Sequence, residues 1–372
     1  MKAYKWFFLI FVSSIVMSCN KTSEEELIGD WQKRALLPES QRSFAATFVI
    51  GNEGYIIGGT NGYKTPLNDV LVFNHLGGAK DIRGNSLGYW RPLKDFPGRA
   101  RQQAVGFSLK GHGYIGTGWA LDDKGEENET RRDFWRYDPA DDSWVEIAPL
   151  PSAAKPRRGA IAFSLKVGDT EYGYVGFGYE DDPGRAYLLD IWRYDPANDE
   201  WTPEYGYSGE KRVGAAVFVI NNKAFICSGE NSIGTNAVTD FWMFDPNADE
   251  DNRWTKMRQM ANANINEDYD DDYGGLARSF GVAYVAQVGG ELRGHIVGKV
   301  ASNWEYDHGE DLWMQRTKFI NNTRSVPREG MISFSFPNTG RAYVGMGKSG
   351  ISHSDDLWEF VPLDDDYIYD DY

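Results

Sequence analysis

The sequence predicts an all-β fold in which six four-stranded units close into one ring. Two observations carry that prediction. Tryptophan recurs at Trp31, Trp90, Trp144, Trp201, Trp254 and Trp313, spaced by 59, 54, 57, 53 and 59 residues. Strand-like repeats of about 50 residues form radial or solenoid arrays, because no unit can bury its apolar face alone. The composition, with 41 Gly, 21 Tyr, 20 Phe and 13 Trp in 372 residues, suits many turns and aromatic-rich strands. A chain of this length can hold two or three domains, but a repeat running nearly end to end predicts one closed object.

The first nineteen residues stand apart from the repeat. Lys2 and Lys5 form a positive start, and the apolar run from Trp6 to Met17 is too short to span a bilayer, so the segment reads as a secretory signal. It ends in Val16-Met17-Ser18-Cys19, which resembles the bacterial lipobox, cut before a cysteine that then carries lipid. The resemblance implies lipidation at Cys19 and a place in the cell envelope, on the outer membrane, facing either the periplasm or the exterior. Cys227 is the one other cysteine, so no disulfide framework competes for Cys19. Residues 20–26 (NKTSEEE) then serve as a polar tether, and no later segment is long and apolar enough to cross a membrane. The formal charge of −16, near −18 without the signal, excludes a nucleic-acid partner that needs a net basic face.

Each unit carries four strand signals in fixed order. The first opens on an arginine: Arg42, Arg101, Arg157, Arg212, Arg278 and Arg328, each followed six positions later by Phe48, Phe107, Phe163, Phe218, Tyr284 or Phe334. The second follows a tight turn and reads YIIGG (55–59), YIGTG (114–118), YVGFG (174–178), FICSG (225–229) and YVGMG (343–347); copy five departs with HIVGK (295–299). The third includes DVLVFN (69–74), DFWRYDP (133–139), DIWRYDP (190–196), DFWMFDP (240–246), NWEYDH (303–308) and DLWEFVP (356–362). The fourth carries the periodic tryptophan. Together these residues resemble the kelch motif over about 30–362, which implies a six-bladed kelch-type β-propeller. The chain opens on a lone fourth-strand signal, Asp30-Trp31-Gln32, and ends on a third-strand signal, so the N-terminal strand is expected to complete the last blade and hide the sheet edges. The predicted organisation is a lipoprotein signal at 1–18, a lipidated tether at 19–29, the propeller at 30–363 and an acidic tail at 364–372.

Long, dissimilar loops (119–132, 179–189, 230–239 and 256–277) lie on the face of the interblade links, so the site is expected there. The six arginines open the channel-lining strands and stand near that mouth. They fit two roles: a receptor for a carboxylate through planar guanidinium forks, or braces that bind backbone carbonyls between blades. Thr60, Asn61, Trp119, Tyr179, Glu230 and Lys348 follow the second strands and approach the same mouth. Trp119 and Tyr179 are candidates for stacking on a sugar, and Glu230 for proton transfer. The acidic runs at 267–272 and 364–371 lack the spacing of a calcium loop, so no metal and no cofactor is expected. The kelch resemblance also extends to copper oxidases of the galactose oxidase type, but His75, His112, His295, His308 and His353 are scattered over turns, a strand and a loop, and Cys227 sits in an apolar strand as an inert thiol.

Two functions remain open at this level. One is a lipid-anchored binding module that presents its loop face to an acidic sugar, a peptide or an envelope protein. The other is a sugar-acid mutarotase or epimerase similar to the kelch-type N-acetylneuraminate epimerases of bacterial periplasms, which implies an arginine for the carboxylate and an acid/base residue such as Glu230.

Overall fold

The computed structural model describes residues 27–38, 41–62, 66–121, 128–181, 184–231, 237–262, 273–319 and 327–362. The signal, most of the tether including Cys19, the acidic run at 267–272 and the tail lie outside the described residues. Among the described residues are six four-stranded antiparallel sheets, each a meander from the channel outwards. The first blade runs Ala46–Ile50, Glu53–Thr60, Pro66–Asn74 and Tyr89–Pro92. The next four begin on Val105–Leu109, Ile161–Val167, Ala216–Ile220 and Val282–Val288. The last comprises Ile332–Phe336, Arg341–Gly345 and Leu357–Val361, with Asp30–Lys33 as its outer strand. The register of that outer strand is Asp30 to Val361, Trp31 to Phe360, Gln32 to Glu359 and Lys33 to Trp358.

Alternation along each inner strand sends one side chain into the sheet-to-sheet interface and the next toward the channel. Six core clusters result, each bridging neighbouring blades: Phe48 and Tyr55 meet Ile115 and Tyr137 between blades one and two, and Ile332 and Phe334 meet Ile56 and Phe73 between six and one. Four of the six fourth-strand tryptophans staple these interfaces through the indole N–H. The indole Nε1 of Trp90 donates to Ala35 O at 3.0 Å, that of Trp201 to Ala148 O at 2.8 Å and that of Trp254 to Tyr205 O at 3.1 Å, and Trp31 makes the same bond to Thr317 O at 3.1 Å.

Blade five departs from its siblings in the place that its sequence suggested. His295 occupies the second-strand position that an aromatic fills elsewhere, stacked on Tyr284 at 4.6 Å with Phe360 edge-on at 5.1 Å. It is fully buried and neither ring nitrogen has a hydrogen-bond partner; its Nε2 lies 3.8 Å from the Glu305 carboxylate, which Arg316 already holds. Burial, reinforced by Arg316 and Arg293, keeps the imidazole pKa well below its ordinary value. The folded state therefore holds a neutral ring that the unfolded chain protonates below about pH 6.5. This contribution to stability is complete above that value and is lost progressively as the pH falls below it. His295→Phe, which copies Phe225 of blade four, is expected to flatten the fall in Tm between pH 7.5 and 5.5; an unchanged slope would assign the acid sensitivity to other groups.

Candidate functional site

The six ring arginines enter the loop-side mouth of the channel in phase, but not as receptors. Arg42, Arg101, Arg157, Arg212, Arg278 and Arg328 are all at most 3% exposed. In five blades the guanidinium pairs with the aspartate that opens the third strand, as a two-bond fork in all but blade four. Arg42 holds Asp69 at 2.8 and 2.6 Å, Arg101 holds Asp133 at 2.9 and 2.7 Å, and Arg157 holds Asp190 at 3.0 and 2.6 Å. Arg212 pairs with Asp240 and Arg328 with Asp356. Each also donates Nη1 to the carbonyl of the fourth residue of the second-strand signal, such as Thr117 O for Arg101 at 3.0 Å. Blade five has Ser302 in place of the aspartate, and Arg278 bonds Ser302 Oγ and the carbonyls of Gly275, Leu276, Gly298 and Ser302. Burial without an acidic partner lowers Arg278 to about 10. The expected carboxylate-receptor role is thus corrected for all six: their donors are spent on the framework, because a buried guanidinium is tolerated only when its N–H groups are matched.

The mouth itself is built one and two residues further along. The second residue after each arginine, Phe44, Gln103, Gly159, Gly214, Phe280 or Gly330, adopts a left-handed φ between 52° and 63°. Each donates its backbone N–H to the equivalent carbonyl of the preceding blade: Phe44 to Gly330, Gln103 to Phe44, Gly159 to Gln103, Gly214 to Gly159, Phe280 to Gly214 and Gly330 to Phe280, at 2.8 to 3.2 Å. These six bonds close an iris around the channel. Below it lie small residues, including Ala45, Ala104, Ala160 and Ala215, and then a cavity of about 380 Å³ opening toward the other face.

Above the iris the candidate residues gather on a polar rim. Bridges join Ser43 to Thr60, Gln102 to Trp119, Arg158 to Tyr179, Val213 to Glu230 and Glu329 to Lys348. Arg158 was not expected from the sequence. Its Nε and Nη2 hold Asp181 at 2.7 and 2.9 Å, its Nη1 donates to Gln103 Oε1 at 2.9 Å, and the guanidinium lies 5.1 Å from the Tyr179 ring centre. One N–H on each terminal nitrogen has no acceptor among the described residues, and the side chain is 24% exposed. Tyr179 meets Tyr187 edge-on at 5.0 Å, and burial together with the nearby Glu230 charge raises the Tyr187 hydroxyl. Trp119 and Glu230 sit half-buried on the rim as expected. On the blade-six side, Glu329 lies 2.6 Å from Lys299 Nζ and 3.2 Å from Lys348 Nζ, and these cations hold its carboxyl below the usual range against the opposing effect of burial. His353 Nδ1 is 3.1 Å from Ser43 Oγ, and its pKa is lowered by burial and by Lys348.

The remaining histidines lie elsewhere: His75 sits in the blade-one turn against Phe336 at 3.9 Å, and His112 lies 3.7 Å from Asp138. Among the described residues no group of three or more His, Cys, Asp or Glu could hold a metal. Burial pushes the Cys227 thiol up to about 12.

No protein-family model matches the chain. It is 26% identical over 200 residues to an N-acetylneuraminate epimerase of Pasteurella multocida, across 44% of this chain and 51% of that protein. A protein of the same name from Haemophilus influenzae is 26% identical over 216 residues, across 49% and 53% of the two chains. The chain thus spans about half the length of the curated relatives it matches. The fold also superposes on the solved structure of YjhT with a TM-score of 0.65 and 16% identity, covering 87% of this chain and 96% of that one, a likeness of fold. Repeat, blade topology and these relatives agree: the chain folds as a kelch-type β-propeller.

Proposed function

We propose that the loop-side mouth binds a carboxylate-bearing sugar in its pyranose form and that the chain interconverts its anomers. The observation that carries this reading is Arg158, a partly exposed guanidinium with an unmatched N–H on each terminal nitrogen, set over an aromatic rim in a chain of formal charge −16. Such a fork suits a planar carboxylate. The names of the matched relatives supply the substrate class, and N-acetylneuraminate bears its carboxylate on the anomeric carbon. Anchored there, the anomeric hydroxyl gives its proton to Glu230, the bond from the anomeric carbon to the ring oxygen breaks, and the ring oxygen takes up a proton from water; reclosure returns that proton to water and Glu230's to the new anomeric oxygen. Rotation and reclosure then deliver the other anomer. General acid–base assistance of this kind contributes about 10²- to 10⁴-fold.

The test is NMR exchange spectroscopy of N-acetylneuraminate with and without protein. Wild type is expected to accelerate anomer exchange; Glu230→Gln should lower kcat by at least about 100-fold, and Arg158→Met should raise KM by roughly 10- to 100-fold, the worth of one charged hydrogen-bond pair. Line broadening without acceleration would leave a binding module, and neither effect would remove the sugar-acid ligand altogether. Anchoring through Cys19 is a separate proposal resting on the lipobox-like sequence: Cys19→Ser is expected to release the protein from membrane pellets, and retention would overturn it.

A further inference from the structure

The iris is not uniform. Blades three, four and six place glycine at its left-handed position, whereas blades one, two and five place Phe44, Gln103 and Phe280 there, at φ of 56°, 55° and 52°. Side chains in that region cost on the order of 1 kcal/mol each, and glycine performs the same backbone task without the cost. Strain of this kind persists where the side chain is used. Beside them Lys299, at φ 61°, takes the place that Gly59, Gly118, Gly178, Gly229 and Gly347 occupy in the other blades, where Thr117, Phe177, Ser228 and Met346 hold a left-handed φ one residue earlier.

All four side chains turn to the mouth. Phe44 and Phe280 meet edge-to-face at 5.6 Å across the iris, Lys348 Nζ lies 5.5 Å from the Phe44 ring centre, Gln103 accepts from Arg158, and Lys299 holds Glu329. The three glycines make room for them. A Cβ at Gly330 would come within 2.6 Å of the Phe44 ring, one at Gly214 within 2.8 Å of the Phe280 ring, and one at Gly159 within 3.4 Å of both the Phe280 ring and Gln103 Oε1. Large and small residues are thus complementary around the ring, and two half-buried phenyl rings cap the channel where the rim cations converge.

We propose that Phe44 and Phe280 are the floor of the ligand site, the surface on which the apolar face of a pyranose rests, and that Gln103 fixes Arg158 at the floor's edge to receive the carboxylate. The floor selects ligands that present C–H groups on one face and an acid at the rim; polar chains without such a face are disfavoured. This inference rests on the reading that the mouth takes a sugar acid.

Phe44→Gly and Phe280→Gly test it, because glycine is what three blades already carry at that conformation. Both variants are expected to keep the wild-type Tm within a few degrees while weakening N-acetylneuraminate binding about tenfold. Saturation-transfer NMR should show the strongest transfer to protons of one ring face in the wild type and its loss in each variant. Phe44→Leu and Phe280→Leu retain bulk if either glycine variant fails to fold, and are expected to reduce the same transfer. Variants with wild-type affinity and an unchanged transfer pattern would overturn the floor while leaving the sugar-acid site standing. Absence of any binding by the wild-type protein would overturn both.

Discussion

A chain lacking residues 27–36 is expected not to form a stable ring. The deletion removes Asp30–Lys33, which pairs along Leu357–Val361, and leaves that strand as an open edge. It also removes Trp31, which packs against Phe360 at 4.9 Å, Phe319 at 5.0 Å and Tyr284 at 6.0 Å, and so joins blade six to blade five. Arg34 is lost as well; its Nε donates to Glu359 at 2.8 Å in a nearly dry site that Glu359 shares with Arg341. Loss of a buried tryptophan alone costs about 3–5 kcal/mol. Adding a severed ladder and a half-orphaned buried carboxylate brings the total to the scale of a domain's whole stability, about 5–15 kcal/mol. The expected result is loss of the cooperative thermal transition and aggregation through the exposed edge. Trp31→Ala is the graded version, with Tm lower by on the order of 10 °C. A deletion that melts like the full chain would show that the last blade holds without its outer strand.

The second large effect is expected at the arginine–aspartate forks. Asp133→Ala leaves Arg101, 1% exposed, with two hydrogen bonds lost and no counterion, and should cost about 3–5 kcal/mol. Asp133 and Asp190 are 16% and 36% exposed, yet their arginines and the indoles of Trp135 and Trp192 outweigh burial and hold their carboxyls below the usual value. A depressed carboxyl stabilises the fold above its unfolded pKa, near 3.8, and that support is lost as the pH falls through the folded value. Replacing both partners, as in Arg101→Met with Asp133→Leu, should be far milder than Asp133→Ala alone, since no buried charge is then stranded. Urea denaturation at pH 7 measures the difference. Equal losses for the single and double variants would mean that the fork itself, and not the stranded charge, carries the energy.

The same forks mark where sequence reasoning stopped short. Phase was legible: six arginines, six aromatics and six tryptophans recur in register, and they do lie at equivalent places in six blades. Role was not. Asp69, Asp133, Asp190, Asp240 and Asp356 recur in five of the six units, and blade five lacks the aspartate, as it lacks the glycine that ends the other second-strand signals. Their recurrence at one fixed place in five units was the available sign that arginine and aspartate belong together; blade five keeps Arg278 and sets Ser302 against it. The site was harder to read for a physical reason. A framework must repeat, because each blade packs against a copy of itself, whereas a ligand has no sixfold symmetry. Phe44, Gln103, Arg158, Phe280 and Lys299 all depart from their siblings, so a search for what recurs passes over them. Loop position, not recurrence, singles out Trp119, Tyr179 and Glu230, which lie on the rim.

The iris has one more consequence. Its six amides form a circle in which every donor points to the preceding blade, so the peptide dipoles run head to tail with no first or last member. Hydrogen-bonded chains strengthen one another, and a circle loses that reinforcement at every link once any link opens. The amide protons of Phe44, Gln103, Gly159, Gly214, Phe280 and Gly330 are therefore expected to exchange with deuterium at one common rate, although they come from six different stretches of sequence.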